Sequence, residues 1–320
     1  MKAPFPYFGG KSRISPLVWQ HLGDVAHYIE PFCGSCAVLL NRPGYDPAKH
    51  METVNDADGH IVNVWRALKY SPDVVAEWAD WPVHHAELCA RKKRINENTG
   101  RLLENLIKDD EWHDPKLAGY YIWAASCWIG SGLTSPNAIP HLSHAGKGVH
   151  AIGKIPHLSD AGKGVSPCKS EQIYQWFFEL SGRLRRVRVV NGDWKQVCGG
   201  NWQDSKGTCG IFFDPPYGHG IGKRDENLYA HDSLEVSSEV REWCLKRGKL
   251  KTYRIILAGY EGEHNELEKH GWSKTEWQAN GGYANSQRKD DSKAKGKDNA
   301  KLERLWISPH CQNIERGLFE

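Results

Sequence analysis

The sequence predicts an α/β protein, a doubly wound sheet with helices on both faces, interrupted by a helical and irregular insert. Three observations lead there. Short apolar runs of strand length each end in acidic or small residues; several are followed by apolar residues at helical spacing; and the alternation stops between about residues 71 and 181.

The first strand, Val25 to Ile29, runs into Glu30-Pro31-Phe32-Cys33-Gly34-Ser35-Cys36, after which Ala37-Val38-Leu39-Leu40 reads as the start of a buried helix. Glu52-Thr53-Val54 is a second strand ending in Asn55-Asp56. Ile61, Val62, Val64, Trp65 and Leu68 then share one helix face. Ser71 to Trp128 is rich in helix formers, and Gly, Pro, Ser and His dominate from there to Pro167. Strands resume with Leu184 to Val190 before Gly192-Asp193-Trp194, and Gly210 to Phe213 before Asp214-Pro215-Pro216-Tyr217. Arg254 to Ala258 and Leu305 to Ile307 follow. Residues 1–70 and 182–320 are thus expected to form one domain, with 71–181 inserted in it.

Composition sets outer limits. The chain has 320 residues, 39% of them hydrophobic, enough for a full-sized core. No run reaches the roughly 20 apolar residues of a membrane span, and Met1 to Arg13 lacks a signal peptide's apolar core, so a cytoplasmic protein is expected. Nine scattered cysteines argue for reduced thiols. The formal charge of +3 permits a polyanionic partner without requiring one. Basic residues gather at Arg91 to Arg94, Arg183 to Arg188 and Gln287 to Lys301, where phosphates could be tracked or helix faces merely solvated. The last stretch has no apolar face and is expected to be mobile.

The insert holds a repeat. Ile139-Pro-His-Leu-Ser-His-Ala-Gly-Lys-Gly-Val149 recurs as Ile155-Pro-His-Leu-Ser-Asp-Ala-Gly-Lys-Gly-Val165. Two copies suit paired loops or a hairpin rather than a solenoid. Lys147 and Lys163 occupy matching places between glycines, a setting suited to phosphate contact. His141, His157 and Cys168 show no recognisable ligand spacing, so no metal is expected.

Ligands of open α/β sheets bind at the carboxyl ends of strands, and here those ends carry Glu30 with Gly34, Asp56, Asp193 and Asp214. Asp214-Pro215-Pro216-Tyr217 is the most specific of these segments, although Asp and Pro also make ordinary turns. The exocyclic amine of a base is a poor nucleophile, because its lone pair is delocalised into the ring. Acceptors for both N–H groups, the Asp214 carboxylate and the Pro215 carbonyl, would favour a pyramidal nitrogen. Pro216 stiffens the turn, and Tyr217 would stack on the extruded base.

Together these motifs resemble the Dam-type, D12 class of adenine-specific DNA methyltransferases over most of the chain. The resemblance rests on Pro6-Tyr7-Phe8-Gly9-Gly10-Lys11, on Glu30 through Ser35 and on Asp214 through Tyr217. It implies a Rossmann-like sheet that binds S-adenosylmethionine, no metal, and a target-recognition insert over 71–181. It also implies methylation of the amine of a flipped adenine in duplex DNA. Tyr7 and Lys11 would lie against the methionine part of the cofactor, with Glu30, Phe32 and Gly34 in the cofactor turn. Asp56 would take the ribose hydroxyls, Asp193 the cofactor adenine's amino group, and Trp194 would pack on that ring. Tyr229, in a segment similar to the family's, would border the flipped base.

Cys36 stands where glycine or another small residue is usual, and Trp194 where a smaller aromatic is common. The repeat separates this chain from the best-known GATC-modifying members, so no target sequence carries over. The same chemistry on RNA or single-stranded DNA, and a catalytically silent regulator, stay open as alternatives, as does a place in a restriction system, a mobile element or a housekeeping pathway. A monomer is expected.

Overall fold

The computed structural model describes residues 1–5, 7, 11–81, 85–128, 133–134, 170–200, 207–216, 235–277 and 302–313. Tyr217, Tyr229, Lys147, Lys163, both copies of the repeat and the stretch 287–301 lie outside the described residues.

The strands are β1 (His27–Glu30), β2 (Met51–Asp56), β3 (Val187–Asn191), β4 (Cys209–Phe213), β5 (Tyr253–Tyr260), β6 (Ser273–Glu276) and β7 (Glu303–Ile307). They form one seven-stranded sheet in the order β3-β2-β1-β4-β5-β7-β6. β1 runs parallel to β2 and to β4, and β4 parallel to β5. β7 runs antiparallel to β5 and to β6. Every residue of β1, β4 and β7 is buried, which requires cover on both faces and matches their continuous apolar character. The expected α/β sheet is therefore present.

The described residues fall into two compact units. One comprises those of Gly9–Asn55, Asp193–Glu226 and Asp232–Glu320. It contains α1 (Ser15–Leu22) and α2 (Ala37–Leu40). Pro16 stands in the first turn of α1, where its missing N–H costs nothing, and Gly23 ends the helix at φ 60°. The Trp19 indole ties α1 to α2, donating to the Val38 carbonyl at 2.8 Å. β6 was not foreseen. Its sequence, Ser-Lys-Thr-Glu, has no apolar face, and the edge position explains why it needs none.

The other unit comprises the described residues of Met1–Phe8 and Asp56–Gly192. Its helices are α3 (Gly59–Tyr70), α4 (Pro72–Ala79), α5 (His85–Glu97), α6 (Thr99–Lys108), α7 (Pro115–Cys127) and α8 (Ser170–Leu184). Asp58 caps α3 by accepting from the His60 amide at 2.8 Å, and Asp114 caps α7 by accepting from the Leu117 amide at 2.9 Å. Trp65, Trp123 and Phe177 are wholly buried at its centre. At Gly119 a Cβ would stand 2.5 Å from the Trp78 Cβ, so α4 and α7 approach as closely as they do only because that residue is glycine.

Arg91 on α5 is 1% exposed. Its guanidinium lies over the rings of Tyr120, Trp123 and Trp81, 4.4 to 5.1 Å from their centroids. It donates to the Trp78 carbonyl and to Glu87, each at 2.7 Å. Lys92 is buried as well. Half of the Arg91 to Arg94 cluster is therefore interior packing rather than a phosphate-facing surface.

Candidate active site

The strand order reverses between β1 and β4: the chain proceeds from β1 to β2 on one side and from β4 to β5 on the other. Such a reversal opens a crevice at the carboxyl ends of the two strands, and both leave the sheet through motifs singled out in the sequence.

After β1, Asn55 clasps the turn. Its side-chain amide donates to the Pro31 carbonyl at 3.0 Å, and its own carbonyl accepts from the Cys33 amide at 2.9 Å. Gly34 sits at φ 43° and Cys36 at φ 50°. The left-handed conformation at Cys36 accounts for the small residue usual at that place, since a side chain there costs about 1–2 kcal/mol. The Glu30 carboxylate is buried beneath the turn and accepts from the Tyr28 hydroxyl and the Leu39 amide, each at 3.1 Å. Burial raises its pKa to about 8, overriding those two hydrogen bonds, and Asp214 and Glu52 push in the same direction.

After β4 comes Asp214. Its Oδ2 lies 3.1 Å from the ammonium of Lys11, which is also 3.5 Å from Glu303 Oε2. Lys11 is buried and stands 5.3 Å from the centroid of the Trp277 ring. Burial opposes the lysine charge, yet the two carboxylates outweigh it and hold the pKa above that of an ordinary lysine. The lysine of the amino-terminal motif and the carboxylate of the tetrapeptide thus meet. Pro215 is buried and Pro216 partly so.

Phe213, immediately before Asp214, gathers the remaining aromatics. Phe32 lies 6.4 Å from it, and Trp194 and Trp243 pack edge-on at 5.8 and 5.3 Å. Trp194 is buried, and its indole N–H has no hydrogen-bond partner among the described residues. Asp193 is exposed, and its Oδ1 accepts from the Lys195 amide at 2.8 Å.

Tyr7 and Asp56 belong to the other unit. Tyr7 stands edge-on to Phe5 at 6.2 Å, and Phe5 packs in turn on Trp65 and Tyr121. Asp56 Oδ1 accepts from the Asp58 amide at 2.9 Å. Its carbonyl accepts from the Gly192 amide and the Asn191 side chain.

Residues 7–101 match the family model of the D12 class N6 adenine-specific DNA methyltransferases. Over that segment the chain is similar to the D12 class. No curated protein matches the chain. The D12 match takes in Tyr7, Lys11, Glu30, Phe32, Gly34 and Asp56. It ends before Asp193, Trp194 and the tetrapeptide. The matching family is one of DNA adenine-N6 methyltransferases, which supports that activity in general.

Sequence reasoning passed over Glu303, Phe213 and Trp277. Phe213 was visible as the last strand residue before Asp214, whereas nothing local marks Glu303, which gains its place only through the antiparallel return of β7. Among the described residues no group of His, Cys, Asp and Glu could hold a metal ion, and no helix is long and apolar enough to cross a membrane.

Proposed function

We propose that the protein transfers the methyl group of S-adenosylmethionine to the exocyclic amine of a flipped adenine in double-stranded DNA. The observation that carries this is the meeting of Lys11 with Asp214 at the switch point, one from the D12-matched segment and the other from the tetrapeptide. The donor set suits the cofactor. A turn of small residues allows close backbone approach, and the buried Trp194 N–H lacks a partner among the described residues.

Bound there, S-adenosylmethionine would supply an electrophilic methyl group on a sulfonium. In this reading Tyr7 and Lys11 lie against the methionine part, and Glu30, Phe32 and Gly34 form the cofactor turn. Asp56 takes the ribose hydroxyls, and Asp193 and Trp194 the adenine. Asp214 and the Pro215 carbonyl accept the N–H groups of the target amine, so that its lone pair is directed at the methyl group. Positioning and electrostatics supply the acceleration, and no strong base is needed. Pro216 and Tyr217 would shape the pocket of the extruded base, with Tyr229 at its border. Residues 71–181 would serve as the target-recognition insert, with Lys147 and Lys163 on phosphates; residues 1–70 and 182–320 would form the catalytic domain of a monomer in the cytoplasm.

The test is incubation with labelled S-adenosylmethionine and matched duplex DNA, single-stranded DNA and RNA, followed by nucleoside analysis. Methyladenine formed mainly in duplex DNA supports the reading. Preference for RNA or single strands changes the substrate, and cofactor binding without transfer to any of them overturns catalysis.

A further inference from the structure

β7 is the strand whose direction differs from that of its parallel neighbours. Because it runs antiparallel to β5, its first residue, Glu303, pairs with Tyr260, the last residue of β5. An acidic side chain that begins a strand thereby arrives at the edge where the parallel strands end. There its carboxylate, with the residue 7% exposed, lies 3.5 Å from the Lys11 ammonium, and the Asp214 carboxylate lies 3.1 Å from the same ammonium.

We propose that Glu303 is a positioning residue of the methyl-transfer site, acting through Lys11 on Asp214. This rests on the function proposed above. A lysine with a flexible four-carbon stem and a single carboxylate partner can follow that partner, whereas a lysine held from two sides fixes the oxygen it binds. Glu303 anchors the ammonium from the β7 side, and Lys11 in turn fixes Asp214 Oδ2, so the carboxylate meets the target amine in one orientation. The second carboxylate also offsets what burial takes from the lysine charge, which keeps Lys11 protonated. Among the described residues, the groups that face Lys11 include Asp214 after β4, Glu303 on β7 and the Trp277 ring after β6. Glu30 after β1 acts on Asp214 rather than on the lysine.

The test compares the full-length wild type with Glu303→Gln and Glu303→Asp. The first removes the charge at nearly constant shape, and the second keeps the charge at a shorter reach. In cofactor-free protein with carbon-labelled lysine, the Lys11 titration midpoint should fall in Glu303→Gln and recover in Glu303→Asp. In single-turnover transfer, Glu303→Gln should lose about tenfold or more in rate at saturation, with cofactor affinity within about twofold of wild type. Its rate should also fail on the alkaline side, at a pH where the wild type still holds its rate. An unchanged Lys11 midpoint overturns the proposal, and so does a variant that loses cofactor affinity but transfers at the wild-type rate once loaded. If the wild type transfers no methyl group to any nucleic acid, the proposed function falls, while the lysine titration still decides whether Glu303 governs Lys11.

Discussion

Lys11 and Asp214 form an ion pair in which the lysine is buried and the aspartate partly so, with the ammonium nitrogen 3.1 Å from Asp214 Oδ2. Residues from opposite parts of the chain are joined because the lysine sits in a short 3-10 turn before α1, whereas the aspartate leaves a central strand. Asp214→Ala should abolish transfer while leaving cofactor affinity within a few-fold of wild type. Calorimetric binding alongside single-turnover methylation separates the two, and loss of binding with transfer retained would reverse the assignment.

The Asn55 clasp makes a prediction about the turn after β1. Asn55→Ala removes the amide that donates to Pro31 and should destabilise the fold by about 1–3 kcal/mol, the usual cost of an unpaired buried group. Cofactor affinity should fall with it, because the turn loses its tether. Denaturant midpoints and cofactor titration check both effects.

Glu30 should govern how stability depends on pH. Its folded pKa of about 8 lies above the ordinary carboxylate value of 4.5. The folded state therefore holds a proton that the unfolded chain releases. This contribution is fully present below pH 4.5 and is lost progressively as pH rises to about 8. Glu30→Gln should flatten the fall in melting temperature across that window, with its gain over wild type greatest at the alkaline end. An equal slope in both proteins would refute the raised pKa.

Arg91 should matter for stability and not for polyanion binding. Arg91→Met removes a guanidinium packed against three rings, and about 1–3 kcal/mol of stability should go, since the Trp78 carbonyl loses its donor. The salt dependence of DNA binding should stay unchanged in the folded variant, since this cation meets no phosphate. Lys147→Ala with Lys163→Ala should flatten that dependence if the repeat touches DNA.

Much of the sheet was legible in the sequence because parallel strands buried on both faces appear as short apolar runs, as Ile211-Phe212-Phe213 and Leu305-Trp306-Ile307 do. The helix over Ser170–Leu184 carried a signal that went unread: Ile173, Phe177, Leu180 and Leu184 lie on one face and are buried. β6 carried none, because an edge strand of polar residues leaves no periodic mark. At the site, the acidic strand ends were readable one by one. The pairing of Lys11 with Asp214 and Glu303 was not, since it depends on which strands are neighbours and which one is reversed.

The buried cations have a consequence for how the molecule meets its surroundings. Lys11, Arg42, Arg66, Arg91 and Lys92 are all interior, and so are Glu30 and Glu52. The formal charge of +3 counts every one of them. A polymer of phosphates approaching through its cloud of condensed ions displaces those ions only where an accessible cation replaces them. Association speed and its response to ionic strength will therefore follow the accessible lysines and arginines, and two variants of equal formal charge will differ in both according to which side of the surface the altered residue lies.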